Sequence, residues 1–486
     1  MTTAPIAIQE AKQPLAKAAE GLRPVSIAAW GVIAVVSLHA AYGWPNAGFL
    51  VLVYLFAVLQ MAKARTWRQA FYPGLAVGLL IGLLRLDFFW RIFSTGAFAL
   101  WIVFAFWIGL FVALARISLR WPVLRMGSFD LTWVLIPFIW FGVEYFRSEL
   151  YYLRFAWLSP GFAFGESPGW VPLHAVGTYG LGFLLMCVAC AAAGFWRRSK
   201  WQAAAILLGG AAALRLGGAV TAKIPTGTGS LVHVAGIQME FPTEKEVLVR
   251  LNDLLRKQPT AELIVLSEYT FSEPVPKEIR DWCREHRRYL VVGGKDPLGK
   301  GQFYNTAFVI SPEGEIIFRQ VKSVPIQFFK DGLPGQEQKI WHSPWGKIGI
   351  CICYDLGYSR VTDRLVQLGA EALIVPTMDV VDWGERQHRL HARVAPVRAA
   401  EYGIPVFRVA SSGISQLVDG RGNVLASAPC PGDGAVIAGT LDFRGPGRLP
   451  WDRWLAPLAL VVTLGLIFIG CWKQLRAKRS KKSLNL

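Results

Sequence analysis

Three residues able to do acyl chemistry each close an apolar run: Glu268 after LIVLS, Lys322 after EIIFRQV and Cys353 after KIGICI. A carboxylate, an ammonium and a thiol at the mouths of separate strands make a base, a cation and a nucleophile. The thiolate is the reactive form, and a free thiol is mostly protonated at neutral pH. Glu268 would take that proton, while Lys322 would favour the thiolate and then the oxyanion of a tetrahedral intermediate. Alone, a Cys that closes a strand is more often a small buried hydrophobe. A carboxylate placed directly after four apolar residues needs a partner, however, and the set of three shifts the balance. Strand alternation puts Ile348, Ile350 and Ile352 on one face and Gly349, Cys351 and Cys353 on the other. Cys353 comes last, where Tyr354 and Asp355 follow, so it is the thiol expected to project into a crevice. Asp355 either orients backbone amides beside the nucleophile or caps the next helix.

These residues need a scaffold, and the pattern supplies one from Leu231 onward. LVHVAGIQM, ELIVLSE, YLVVGGK, KIGICICYD, ALIVPTM and IPVFRVASSG read as strands. EKEVLVRLNDLLRKQ, EIRDWCREHRR, RVTDRLVQLG and HRLHARVAPVRAAEYG read as the helices between them. YNTAFVISPEGEIIFRQVK is a hairpin turning at Pro312-Glu313-Gly314, and SQLVDGRGNVLASA closes the unit as a second hairpin. Residues 229–445 are therefore expected to form a layered α/β domain with helices outside. Within it, Tyr304 and Asn305 are more simply hairpin packing than substrate contacts, and Trp383 belongs to a loop at the pocket rim. Arg398 and Glu401, one turn apart, read as an ion pair. Gln387 and His388 have no further ligands at metal spacing, so no metal is expected.

The rest of the chain is of another kind. Of the 486 residues 53% are hydrophobic and only 17% charged, against about 25% charged in soluble chains. Apolar runs near 25–42, 47–62, 71–89, 96–115, 129–146, 170–195, 201–218 and 452–472 predict about eight spans. The basic strings KARTWR, RISLRWPVLR, RRSK and KQLRAKRSKK then fall on one side. That arrangement puts a segment 1–24 and a tail 473–486 in the cytoplasm, a seven-span bundle at 25–218, a last span at 452–472, and the α/β domain on the far face. The net charge of +18 reads as topology-setting charge against a lipid bilayer, not as a nucleic-acid footprint. Glu144 and Arg147, one turn apart at the outer end of the fifth run, form either an interhelical salt bridge with an aromatic belt or a polar cradle for a lipid headgroup. Arg85, Asp87 and Arg91 flank the third run in the same way.

LSE, a Lys after a hairpin, and GICICYD resemble the Glu, Lys and Cys motifs of the nitrilase, or carbon–nitrogen hydrolase, superfamily. Joined to WFGVEYFRSELYYLRFAWL, VGTYGLGFLLM and the string QHRLHARVAPVRAAEYGIPVFRVASSGIS, they resemble its membrane-embedded branch, the apolipoprotein N-acyltransferases. The resemblance implies an αββα sandwich with Glu268, Lys322 and Cys353 as catalytic triad. It implies a phospholipid acyl donor, a thioester on Cys353, and an apolipoprotein acceptor whose N-terminal amine takes the acyl chain. No cofactor is implied, the chain would act as a monomer, and the location would be the bacterial cytoplasmic (inner) membrane with a periplasmic catalytic domain. Four positions depart from the family pattern. Ser267 precedes the base in place of Pro, Asp355 follows Cys-Tyr in place of Glu, and Ser412 replaces an Asn. No second Glu follows Lys322 in KSVPIQFFKDG, where Gln327 or Asp331 could take its place.

Overall fold

The computed structural model describes residues 22–120, 125–126, 129–130, 132–221 and 229–483. Nearly all of the expected 1–24 segment lies outside these residues. Helices α1 (Pro24–Gly43), α2 (Leu50–Met61), α3 (Trp67–Arg85), α4 (Phe88–Phe93), α5 (Gly96–Leu119), α6 (Thr132–Tyr145), α7 (Leu173–Phe195) and α8 (Lys200–Thr221) form the N-terminal bundle. The chain closes with the helix Asp452–Ser483, which runs past the expected end of the last span at 472. Among the described residues, five helices are long and apolar enough to cross a membrane: α1, α5, α7, α8 and the 452–470 part of the last helix. The other predicted spans are helical but fall short for physical reasons. With 12 residues, α2 reaches only about 18 Å at 1.5 Å per residue, against roughly 30 Å of hydrocarbon. Helix α3 carries Arg68 and Arg85 at its two ends. Helix α6 has 14 residues and passes directly into a π-helical turn, Phe146–Leu150.

The globular domain is built from β1 (Ser230–Ile237), α9 (Glu244–Lys257), β2 (Leu263–Leu266), α10 (Lys277–His286), β3 (Tyr289–Gly299), β4 (Gln302–Ile310), β5 (Ile316–Val321), β6 (Ile340–His342), β7 (Lys347–Ile350), α11 (Ser359–Gln367), β8 (Ala372–Thr377), α12 (Glu385–Ala392), α13 (Val394–Tyr402), β9 (Val406–Ala410), β10 (Ser415–Val418), β11 (Val424–Ala428) and β12 (Val436–Phe443). One six-stranded sheet has the order β12-β1-β2-β3-β4-β5, the other β11-β10-β9-β8-β7-β6. Each holds three parallel strands, β1 to β3 and β7 to β9, flanked by antiparallel ones. The sheets lie face to face: a Cβ on Gly236 of β1 would fall 2.6 Å from a methyl of Val409 in β9. Helix α9 buries Val247, Leu251 and Leu254, the i, i+4, i+7 stripe of an outer-layer helix. This is the layered α/β domain that the strand pattern implied, in the sandwich form that the resemblance implied.

Buried carboxylates fix this domain to the bundle. Helix α7 breaks at Gly177, whose φ of +77° lies in the region glycine adopts without Cβ strain. The break frees the next backbone N–H groups, as at any helix start. Thr178 N–H donates to Glu401 Oε1 (2.8 Å), and Tyr179 and Gly180 N–H donate to Asp452 Oδ2 (3.1 and 3.2 Å). Glu149, on the π-helical turn, accepts from the Tyr179 hydroxyl at 2.7 Å and from Ser359 N–H, at the start of α11, at 3.0 Å. Arg398 pairs with Glu401, as its spacing predicted, and also donates to the carbonyls of Leu356 (3.1 Å) and Gly357 (2.8 Å), in the turn that follows Cys353.

Burial alone would raise the Glu401 pKa, but the charges of Arg398 and Arg453 outweigh it and hold the carboxyl below its ordinary 4.5. A depressed folded-state pKa stabilises above the unfolded value, and that stabilisation is lost as pH falls through the folded one. The thermal midpoint of the detergent-solubilised protein should therefore drop as pH is lowered below about 4.5. Glu401→Gln should lower the midpoint at pH 7 and flatten this acid dependence; a mutant with unchanged acid dependence would show that Glu401 does not set it.

Candidate active site

Glu268, Lys322 and Cys353 follow β2, β5 and β7, so the site lies where strand ends of the two sheets meet. Glu268 stands two residues past β2, and Gly293 of β3 passes directly beside it. A Cβ on Gly293 would fall 2.6 Å from Glu268 Cα and 2.9 Å from both Ser267 O and Tyr269 N. Gly293→Ala must displace Glu268, and a shift of about 1 Å in a catalytic group costs on the order of 100-fold in rate. We expect that loss in kcat with the fold retained; full activity would show that Glu268 need not be held there.

The Glu268 carboxylate is buried and fully engaged. Its Oε1 accepts from Lys322 Nζ at 2.8 Å and from Asn305 Nδ2 at 2.6 Å, and Oε2 accepts from Met378 N–H at 2.8 Å. Burial raises its pKa against the opposing charge of Lys322. Lys322, also fully buried, donates to Asp331 Oδ2 at 2.8 Å. Burial would lower the Lys322 pKa, but the Asp331 and Glu268 carboxylates push it well above its ordinary value. Asp331 further accepts from Asn305 Nδ2 (2.9 Å), the Tyr269 hydroxyl (2.8 Å) and Ile326 N–H (2.7 Å). Of the two replacements open in KSVPIQFFKDG, Asp331 is the one that meets the lysine. Gln327 instead donates to the Tyr152 carbonyl at 3.2 Å.

Cys353 adopts φ +52°, a left-handed conformation that is strained for a side-chain-bearing residue. The strand itself ends at Ile350, so alternation stops before Cys353. The turn re-aims this thiol to the Met378 carbonyl, 3.5 Å away, and Met378 N–H is the group that binds Glu268. Burial and then the Glu268 charge raise the Cys353 pKa well above the ordinary thiol value, with Lys322 opposing. At rest, then, the candidate nucleophile is a protonated thiol, and burial makes the Glu268 carboxylate more basic. Cys351 stays with Gly349 on the side packed by α11 and is inert by position: a Cβ on Gly349 would touch Leu365 and Ala370.

The supporting residues divide. Asp355 accepts from Ser323, Val324 and Ile352 N–H at 2.7 to 3.3 Å, which ties the loop after Lys322 to the turn that carries Cys353. That is the amide-orienting reading, and burial raises its pKa to about 6. Asn305 bridges Glu268 and Asp331, more than hairpin packing. Tyr304, its half-buried neighbour, points to the other side of the strand by alternation. Tyr354 donates to the Arg154 carbonyl at 3.0 Å and lines an apolar pocket of about 100 Å³ with Phe89, Phe93, Trp107, Phe155 and Phe329. Trp383 stands at its rim, 6.3 Å from Phe329 ring to ring. Glu144 and Arg147 form a buried pair within one stretch of helix at 3.8 Å, not one between helices, and Arg147 also lines this pocket. Gln387 and His388 are buried polar packing. Gln387 donates to Asp379 at 3.0 Å and His388 Nε2 lies 2.9 Å from the Val380 carbonyl.

Sequence reasoning missed Tyr269, Glu149 and Asp379. Asp379, beside Met378, is held by Arg408 and His391 and steadies the loop that joins Cys353 to Glu268. An acid directly after the apolar run ALIVPTM was the signal available for it.

Both parts of the chain match known proteins. A family model for the apolipoprotein N-acyltransferase N-terminal domain matches residues 30–191, and one for carbon-nitrogen hydrolases matches residues 235–444. An apolipoprotein N-acyltransferase of Geobacter metallireducens is 25% identical over 369 residues, covering 66% of this chain and 70% of its own. One from Shewanella oneidensis is 24% identical, covering 61% and 65%. A deaminated glutathione amidase of Dictyostelium discoideum is 27% identical over 31% of this chain and 59% of its own. A membrane part that matches the apolipoprotein N-acyltransferases thus stands in front of a domain that matches the carbon–nitrogen hydrolases, and it is apolipoprotein N-acyltransferases that the chain resembles across both.

Proposed function

We propose that the protein moves a fatty acyl chain from a phospholipid to the N-terminal amine of the diacylglyceryl-cysteine of an apolipoprotein, through a thioester on Cys353. One observation carries this reading: Tyr354, the residue next to Cys353, lines an apolar pocket walled by membrane-bundle residues such as Phe89 and Trp107. A soluble amide would not need those walls, whereas an acyl chain would.

In the first half-reaction Glu268 takes the Cys353 proton and the thiolate attacks the ester carbonyl. Lys322 stabilises the oxyanion, and the C–O bond breaks as Glu268 returns the proton to the leaving lysophospholipid oxygen. In the second, the acceptor amine attacks the thioester carbon while Glu268 accepts its proton. The C–S bond then breaks and the thiolate is reprotonated. Asp331 shares the Lys322 charge and so keeps Glu268 from being fully neutralised by it. The chain crosses the cytoplasmic membrane eight times with both termini inside, a topology supported by its three basic connections and basic tail, and residues 229–445 face the periplasm. It acts as a monomer.

The test supplies detergent-solubilised protein with phospholipid and a synthetic diacylglyceryl-cysteine peptide. N-acylated peptide is the expected product. Hydrolysis of small soluble amides without lipid, and no acylated peptide, would replace this reading by a membrane-tethered amidase.

A further inference from the structure

At the end of the bundle away from the catalytic pocket, α1 and α3 leave an apolar groove between them. Small residues draw α3 onto α5: a Cβ on Gly78 would fall 2.6 Å from Ala105 Cα, and one on Gly74 3.0 Å from Gly109 Cα. Against α1 it closes at Gly31, where a Cβ would fall 3.3 Å from a Val77 methyl. The groove, of about 580 Å³, runs from Pro24 to Val36 on α1 and from Arg68 to Leu80 on α3. That is about 18 Å of helix at 1.5 Å per residue, close to the roughly 15 Å of one leaflet. Ile27, Val32, Val35 and Leu80 are typical of its wall, and its polar side chains, Arg68, Gln69 and Tyr72, all stand at one end. That end is basic. No Asp or Glu occurs between Glu20 and Asp87, and Arg23, Arg65 and Arg68 are exposed. Among the described residues these three arginines form no ion pair. Leu22 N–H donates to the Lys63 carbonyl at 3.0 Å, which brings Arg23 beside the turn that carries Arg65. Helix α5 adds Arg116, whose guanidinium donates to the Ala64 and Arg65 carbonyls. The catalytic pocket begins with Leu86 and Phe88, past the other end of the 19-residue α3.

We propose that this groove holds a resident anionic phospholipid that is not a substrate, with an acyl chain along α1 and α3 and its phosphate against Arg68. Bilayer tails are as apolar as the groove wall, so the wall admits any lipid and the basic end makes the choice. Arginine matches phosphate oxygens in a planar, two-pronged geometry. A phosphatidylglycerol headgroup brings one negative charge and no cation. A phosphatidylethanolamine headgroup adds an ammonium, for which an end without acids has no partner. On the topology proposed above this end faces the cytoplasm, so the lipid belongs to the leaflet opposite Cys353. Only the choice of leaflet rests on that topology. Filling the gap between α1 and α3, the lipid stabilises the folded bundle as any ligand of the native state does.

The test uses the full-length protein in neutral detergent, where binding can be read whatever the topology. Dioleoyl-phosphatidylglycerol and dioleoyl-phosphatidylethanolamine are titrated in, and native mass spectrometry counts the lipids retained. We expect one site with about tenfold preference for the glycerol lipid, the size of one charge-assisted contact. Arg68→Gln should weaken that site about fivefold, the share of one basic residue at an anionic headgroup. Ala76 is exposed on the groove wall, so Ala76→Phe fills the groove without entering the core and should also displace the lipid. Phosphatidylglycerol should raise the thermal midpoint of the wild type and not that of either variant. After incubation with acceptor peptide, the lipid still bound to the wild type should be recovered with both acyl chains, and Arg68→Gln should lose this fraction. Equal retention of the two lipids, or both variants binding like the wild type, overturns the proposal. So does recovery of the Arg68-dependent lipid with one acyl chain removed, which would make the groove a route to Cys353.

Discussion

Cys353→Ala abolishes acyl transfer while the protein stays folded. The thiol supplies the nucleophile itself, and loss of such a group from an interdependent catalytic set costs on the order of 10⁶ in kcat. Cys353 already occupies the left-handed region at φ +52°, and Ala meets the same steric cost there, so the backbone strain is unchanged. The thermal midpoint should move by only a few degrees, the range of about 1 kcal/mol. Cys351→Ala is the matched control. Its thiol is equally buried but faces the α11 layer, so its loss costs about 1 kcal/mol of packing and leaves turnover near wild type. Rates and thermal midpoints measured on both variants decide the matter. Activity surviving in Cys353→Ala, or vanishing in Cys351→Ala, would show the nucleophile to be misassigned.

Lys322→Met has the second largest effect, and it reaches both chemistry and stability. Lys322 Nζ lies 2.8 Å from a carboxylate oxygen of both Glu268 and Asp331. Without it two buried carboxylates share only the Asn305 amide, and one must take up a proton. If that is Glu268, the base is gone; in either case the oxyanion loses its cation. We expect a loss of at least about 10³ in kcat, the scale of one electrostatic stabiliser, and about 3–5 kcal/mol of stability, the cost of stranding a buried charge. Asp331→Asn is milder, since Lys322 and Glu268 remain paired; a fall of about 100-fold is expected. The double variant Lys322→Met, Asp331→Asn separates the two effects. It should regain much of the stability and none of the activity, because neighbouring charges couple. Recovery of turnover in the double variant would exclude Lys322 from the chemistry.

The sequence carried the site's outline because the chemistry sits at strand ends, and strands ending in Glu268, Lys322 and Cys353 are visible as apolar runs. It did not carry the reason Cys353 is aimed correctly. Its place at the end of the run, before Tyr354 and Asp355, singled out Cys353, yet alternation would have pointed it to the helix layer with Cys351; the left-handed turn at φ +52° re-aims it. Asp331 was one of two open choices because its place depends on the loop after Lys322 folding back. Gly335 N–H donates to the Lys322 carbonyl (2.7 Å) and Leu333 N–H to that of Phe303 (3.0 Å), and no periodicity marks such a return. The Arg398–Glu401 pair was legible from helical spacing, but its joining of the domain to the break in α7 depends on contacts more than 200 residues apart in sequence. In the bundle, apolar runs located every helix but the short α4. Helix lengths were less legible, because α6 yields to a π-turn that brings Glu149 against α11.

The most direct test is the intact mass of the full-length protein after incubation with a phospholipid of defined chains and no acceptor. One added acyl group on Cys353 is the expected result, removed by hydroxylamine and by a diacylglyceryl-cysteine peptide. An unmodified protein that nevertheless produces acylated peptide would contradict the acyl-enzyme, and with it the role of Cys353 as the nucleophile.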